Sequence, residues 1–154
     1  MNIGERVASK LHRRDFLQSA LAVAAIPPLC CVTPPAPANS IQFQDGKIIV
    51  DLTRVPELRR SGTAIAIVDE ARKINLILVH AESKRYVTLN RACTHGFAPC
   101  AYNQRRHTVQ CTSLNHAEYT LDGTLLHGRT HGNLRAYPTK ANKSSIEITL
   151  EAKA

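Results

Sequence analysis

Beyond residue 41 no window of twelve residues carries a helical period, and that limits this chain more than any single motif. In its place run short segments rich in β-branched residues, at 47–52, 63–68, 74–80 and 85–89. Ile146-Glu147-Ile148-Thr149-Leu150 alternates apolar and polar side chains, the period of a half-buried strand. Asp45-Gly46 and Asp122-Gly123 mark tight hairpin turns, and residues 140–143 mark another reversal. The pattern predicts an all-β domain, a small sandwich or barrel, with two longer loops.

Those loops carry the chemistry. The stretch "RACTHGFAPCAYNQRRHTVQCTSLNH", residues 91–116, places Cys93 and His95 in one loop and Cys111 and His116 in a second. Thiolates are soft charged ligands and imidazoles neutral ones, so two of each suit zinc or an iron–sulfur cluster of mixed ligation. A zinc finger groups its cysteines together and its histidines together; here each loop supplies one of each. Five cysteines in all, with Cys30 and Cys31 near the N-terminus, leave three in the domain. Three thiols beside clustered histidines argue for metal rather than a disulfide framework. Cys100 reads as a small buried hydrophobe. His107, His127 and His131 read as surface or loop histidines.

The N-terminus reads as an address. "HRRDFLQSALAVAAIPPLCC" has a basic start, the pair Arg13-Arg14, Phe16-Leu17 and a modest apolar run to Ile26. It resembles a twin-arginine export signal. Pro27-Pro28 ends the run well short of the roughly 20 apolar residues a spanning helix needs. Ala36-Pro37-Ala38 offers a cleavage site, and a retained anchor or lipidation at Cys30 or Cys31 are the other possibilities. Residues 1–38 are therefore expected to be a signal peptide or N-terminal anchor, and residues 41–152 the folded domain. The expected location is the periplasm or the outer face of the inner membrane, with membrane association through the N-terminal segment.

With 154 residues the chain has room for one ordinary domain. Its 20 Lys and Arg against 12 Asp and Glu give a formal charge of +8. Such a charge suits an acidic protein partner or an anionic membrane surface. Nucleic acid is disfavoured, because the basic residues are scattered and Trp is absent with only three Phe and four Tyr.

C-x-H on one loop and Cys with His on a second resembles the arrangement of the Rieske iron–sulfur family. Cys93-Thr94-His95-Gly96 is similar to the family's first cluster loop, and "HAEYTLDGTLLHG", residues 116–128, to the run after its second histidine. Leu134-Arg135-Ala136-Tyr137 followed by "SIEITL" resembles the closing segment and last strand. The resemblance implies a [2Fe–2S] cluster, with Cys93 and Cys111 on the inner iron and His95 and His116 on the outer iron. The chain departs from the family at three points. Four residues separate Cys111 from His116 where the family has two. Ser113 stands where a loop disulfide would place a partner for Cys100. Ala117 and Glu118 follow His116 where high-potential members carry a hydrogen-bonding Ser, although Tyr119 can supply an aromatic hydroxyl.

The function so implied is one-electron transfer, as a soluble carrier or as the iron–sulfur subunit of a periplasmic or membrane-associated oxidoreductase, in the manner of a quinol–cytochrome c reductase. A cytochrome or an oxidoreductase large subunit is the expected redox partner. No nucleophile–base pair or nucleotide loop is visible, so the chain is read as an electron-transfer subunit rather than an enzyme by itself. The alternative is a zinc-stabilised or metal-free domain of the same fold acting as an interaction module.

Overall fold

The computed structural model describes residues 32–82, 84–114 and 117–150. The described residues form an all-β domain, as the periodicity predicts. Twelve strands are present among the described residues. They are β1 Ile41–Gln44, β2 Lys47–Asp51, β3 Thr63–Asp69, β4 Ile74–Glu82, β5 Arg85–Asn90 and β6 Cys100–Asn103. The remainder are β7 Thr108–Cys111, β8 Glu118–Tyr119, β9 Leu125–His127, β10 Ala136–Tyr137, β11 Thr139–Ala141 and β12 Ser145–Thr149. Only short 3-10 turns at Ala38–Ser40 and Pro56–Arg59 interrupt them. No helix among the described residues is long and apolar enough to cross a membrane.

The strands form three antiparallel sheets, in the orders β1-β2-β12-β11, β10-β5-β4-β3 and β6-β7-β8-β9. The middle sheet packs on both neighbours, and β4 shows why. Its sequence is a continuous apolar run rather than an alternation, the mark of a strand buried on both faces. Leu76 and Leu78 join Ile48, Val50, Ile146, Ile148, Ile65 and Ile67 in one core. Ile77 and Val79, on the opposite face, join Leu89, Val109, Tyr119 and the three domain cysteines in a second core. The cysteines thus sit in the wall between the middle sheet and the third sheet.

Local chemistry sets the turns. Asp45 and Gly46, at φ of 44° and 74°, make the two-residue loop that twists β1 onto β2. Gly128 has φ of 108°, and a Cβ there would lie 2.5 Å from the Ala117 Cα. No other residue fits that approach, which seats the end of β9 against the start of β8 beside the cysteine core.

Residues 32–38, read from sequence as the end of the signal or anchor, make contacts with the domain. Ala36 N–H donates to Ala66 O and Ala66 N–H to Pro34 O, each at 2.8 Å. Thr33 is buried, and its Oγ1 accepts from Tyr102 N–H at 3.1 Å. The twin-arginine pair, the apolar run and Cys30-Cys31 lie outside the described residues.

Candidate metal centre

Cys93 and His95 lie on a tight turn that follows β5. Asn90 Oδ1 accepts from Ala92 N–H, Cys93 N–H donates to Ala98 O at 2.8 Å, and Phe97 N–H donates back to Cys93 O at 2.9 Å. Phe97 closes this turn in the left-handed region, φ 61°, and its ring is 83% exposed. The second segment differs from the loop expected by sequence. Cys111 ends β7, and directly opposite it across the β6–β7 hairpin stands Cys100. Cys100 N–H donates to Arg91 O and Cys111 N–H to Ala117 O, so the two cysteines do not bond each other's backbone. Such a non-hydrogen-bonded pair brings its side chains closest together.

The three thiols are free and buried. Their sulfurs all lie within 4.8 Å of one another, a group able to hold a metal ion. His95 joins them from the turn, with Nδ1 2.8 Å from Cys93 Sγ and 3.9 Å from Cys111 Sγ. Two hydroxyls reach the sulfurs: Tyr119 Oη at 3.2 Å from Cys93 and Ser113 Oγ at 3.1 Å from Cys111. Ser113 Oγ also lies 3.1 Å from His95 Nε2, so one hydroxyl bridges the two segments.

Burial opposes ionisation of Cys93, yet hydrogen bonds from the His95 backbone, from Tyr119, and from the His95 and Cys111 side chains outweigh it. They bring the thiol down to about 7. Cys100 goes the other way, pushed strongly up by burial and then by the charges of Cys93 and Cys111. Burial, then the bond to Cys93, raises Tyr119, which keeps its phenol proton available to donate.

Of the four expected ligands, the structure brings Cys93, His95 and Cys111 to one place. His116, like Asn115, lies outside the described residues. His107 sits on the surface with Nδ1 3.2 Å from Tyr102 Oη, and His131 is exposed. His127 is more than a surface histidine: its Nε2 lies 2.7 Å from Oε2 of the fully buried Glu118. That contact falls outside hydrogen-bond directions, whereas Arg106 Nε at 2.9 Å and Thr108 Oγ1 both engage Oε1. Cys100, read from sequence as a small buried hydrophobe, is fully buried, but its place opposite Cys111 was not foreseen. The signal that finds it is register: the polar run Asn103 to Thr108 is a hairpin end, and folding there sets Cys100 against Cys111.

A cavity of about 470 Å³ opens elsewhere, between residues 32–34, Thr63 and the β6–β7 hairpin; none of the candidate ligands lines it.

No protein-family model and no curated protein matches the chain. Among solved structures, the chain is similar to the cyanobacterial plasma membrane Rieske protein PetC3 from Synechocystis PCC 6803. The TM-score is 0.44 and the identity 22%, over 51% of this chain and 77% of that one.

Proposed function

We propose that this domain is a one-electron carrier whose centre is a Rieske-type [2Fe–2S] cluster held by Cys93, His95, Cys111 and His116. One observation carries the reading. Cys93–His95 and Cys111, from segments sixteen to eighteen residues apart in the chain, converge, the two cysteines buried and His95 Nδ1 2.8 Å and 3.9 Å from their sulfurs. The donors fit the group in kind, since buried thiols and an imidazole are the ligands of a mixed cluster. When bound, the cluster supplies a single electron at a potential above that of an all-cysteine cluster.

The chain's own residues do the rest. Tyr119 and Ser113 aim hydroxyls at the two sulfurs, which favours the more negative, reduced state. The wall of Leu89, Val109, Ala117 and Leu134 keeps water from the sulfur side. Phe97 and Leu114, 83% and 94% exposed, crown the two segments, an apolar rim on which a redox partner can dock. The net charge suits an acidic partner, a cytochrome or an oxidoreductase subunit. Export by the twin-arginine route, read from Arg13-Arg14, would deliver a domain folded around its cofactor to the periplasm or the outer face of the inner membrane.

A second reading, a zinc-stabilised interaction module, is favoured by the third sulfur of Cys100. Iron and acid-labile sulfide analysis of anaerobically purified full chain separates the two. Equal iron and sulfide supports the cluster; zinc with neither supports the module.

A further inference from the structure

We propose that the end of the domain opposite the cysteine centre is a lipid-facing surface, on which Arg59, Arg60, Lys84 and Arg105 bind the headgroups of an anionic bilayer. The proposal goes beyond the electron-carrier reading and holds with or without a cluster.

Strand direction defines the two ends. In the β6–β7 hairpin Cys100 faces Cys111 at one end, and Asn103 faces Thr108 at the other. In the β4–β5 pair Leu76 meets Asn90 on the cysteine side, and Glu82 meets Arg85 at the far turn. Strand β3 starts at that far end, with Thr63 opposite His80. Two contacts tie these turns together. A Cβ on Gly62 would lie 2.9 Å from the Gln104 side chain, so the turn before β3 packs on the β6–β7 turn. Burial, and then the charge of Glu82, raises the Tyr102 phenol, which places the β4–β5 turn at the same end.

These turns concentrate positive charge. Arg59, Arg60, Lys84, Arg85, Arg105 and Arg106 stand here against Glu57, Glu82 and Glu118. Arg106 is engaged by the buried Glu118, and Arg85 stands opposite Glu82. Arg59, Arg60, Lys84 and Arg105 are exposed and make no ion pair among the described residues. The β3–β4 turn at the cysteine end is balanced, with Asp69 and Glu70 against Arg72 and Lys73.

The place where the N-terminal segment joins the domain favours lipid over an acidic protein. Thr33 is buried at this end, its Oγ1 accepting from Tyr102 N–H at 3.1 Å, and the exposed Val32 precedes it. Val32, Thr33 and Arg105 line one cavity. In sequence the apolar run ends at Ile26, six residues before Val32, a reach of roughly 20 Å at most. A membrane engaged by that run lies close to the four cations, and basic residues beside an apolar segment are what an anionic bilayer attracts. Phe97 and Leu114 belong to the other end, left to a redox partner.

The full chain is sedimented with vesicles of phosphatidylcholine alone, and of phosphatidylcholine mixed with phosphatidylglycerol. Binding to the mixed vesicles should be tighter, and the excess should fade with added salt. Arg59→Gln with Arg60→Gln should cut that excess roughly 25-fold, at about fivefold for each charge near the surface. Adding Lys84→Gln and Arg105→Gln should cut it further. Arg72→Gln with Lys73→Gln removes equal charge from the cysteine end and should leave the excess nearly unchanged. Orientation is read from tryptophan, which the natural chain lacks. On mixed vesicles Ser61→Trp should be quenched by a lipid with a nitroxide headgroup, and Phe97→Trp should not. Equal binding to both vesicle types, an equal loss in the Arg72 and Lys73 variant, or quenching at 97 instead of 61 would overturn the proposal. Binding of poly-glutamate that depends on Arg59 and Arg60, with no preference for mixed vesicles, would assign the surface to an acidic protein and overturn it as well.

Discussion

Cys100 and Cys111 face each other across the β6–β7 hairpin as a non-hydrogen-bonded pair, and Cys93 closes over them from the turn after β5. A strand pair therefore carries two of the three sulfurs, and the turn carries the third with its histidine. The centre is as rigid as the sheets that hold it, with the exposed apolar tips Phe97 and Leu114 beside it.

The Tyr119 hydroxyl lies 3.2 Å from Cys93 Sγ and 3.3 Å from Thr94 Oγ1. In the iron-loaded protein, Tyr119→Phe removes a donor that stabilises the reduced state more than the oxidised one. A loss of about 1 kcal/mol corresponds to a fall of roughly 40 mV for one electron. A redox titration comparing the variant with wild type measures it, and unchanged potential would show that the hydroxyl plays no part.

Glu118 is fully buried with Arg106 and Thr108 on one oxygen. Arg106→Ala leaves that carboxylate without its guanidinium partner, with the His127 imidazole beside its other oxygen, and should lower stability by about 1–3 kcal/mol. Adding Glu118→Gln should recover part of the loss, because the neutral amide needs no counter-charge. Denaturant melts of the single and double variants test this; strictly additive losses would show that the two side chains act independently.

Pro34, Ala36 and Thr33 contribute three hydrogen bonds to β3 and β6. A chain beginning at Asn39 should be less stable than one beginning at Val32 by roughly 1.5–4.5 kcal/mol, at about 0.5–1.5 for each bond. Equal thermal midpoints would mean the segment adds nothing to the fold.

Asp122, in the turn before β9, is held below the ordinary carboxylate range by hydrogen bonds from Thr120, its own backbone and Thr124, and by the Arg85 charge. A folded-state value below the unfolded one gives stability that is full above the unfolded value, near 4. It is lost as pH falls through the lower folded value. Asp122→Asn should therefore lower the melting temperature at pH 7 but make little difference near pH 2. An equal effect at both would contradict the titration.

Much of this was legible in the residues. The β-branched runs marked β2, β3, β4, β5 and β12, because each is long enough to stand out in composition, and Asp45-Gly46 marked its hairpin by turn chemistry. Strands β6 to β9 were not legible: two to four residues complete at most two alternations, and Asn103 and Gln110 break the apolar pattern. Segment 100–111 accordingly read as part of two loops. That Cys93, His95 and Cys111 lie together was legible from residue type and spacing. The place of Cys100 beside them was not, since its neighbour is set by cross-strand register, and a cysteine seven residues past another carries no spacing signal of its own. The buried carboxylate of Glu118 was hidden for the same reason, its partners Arg106 and Thr108 lying on the neighbouring strand and its turn.

The most direct measurement is low-temperature EPR of the anaerobically purified, iron-loaded full chain before and after dithionite. A mixed Cys–His cluster should be silent when oxidised and give an S = 1/2 signal with an average g below 2 on reduction. That signal should vanish in His116→Ala and persist in His127→Ala and His131→Ala. A chain that stays colourless and EPR-silent through reduction, with zinc as its metal, would contradict the electron-transfer reading.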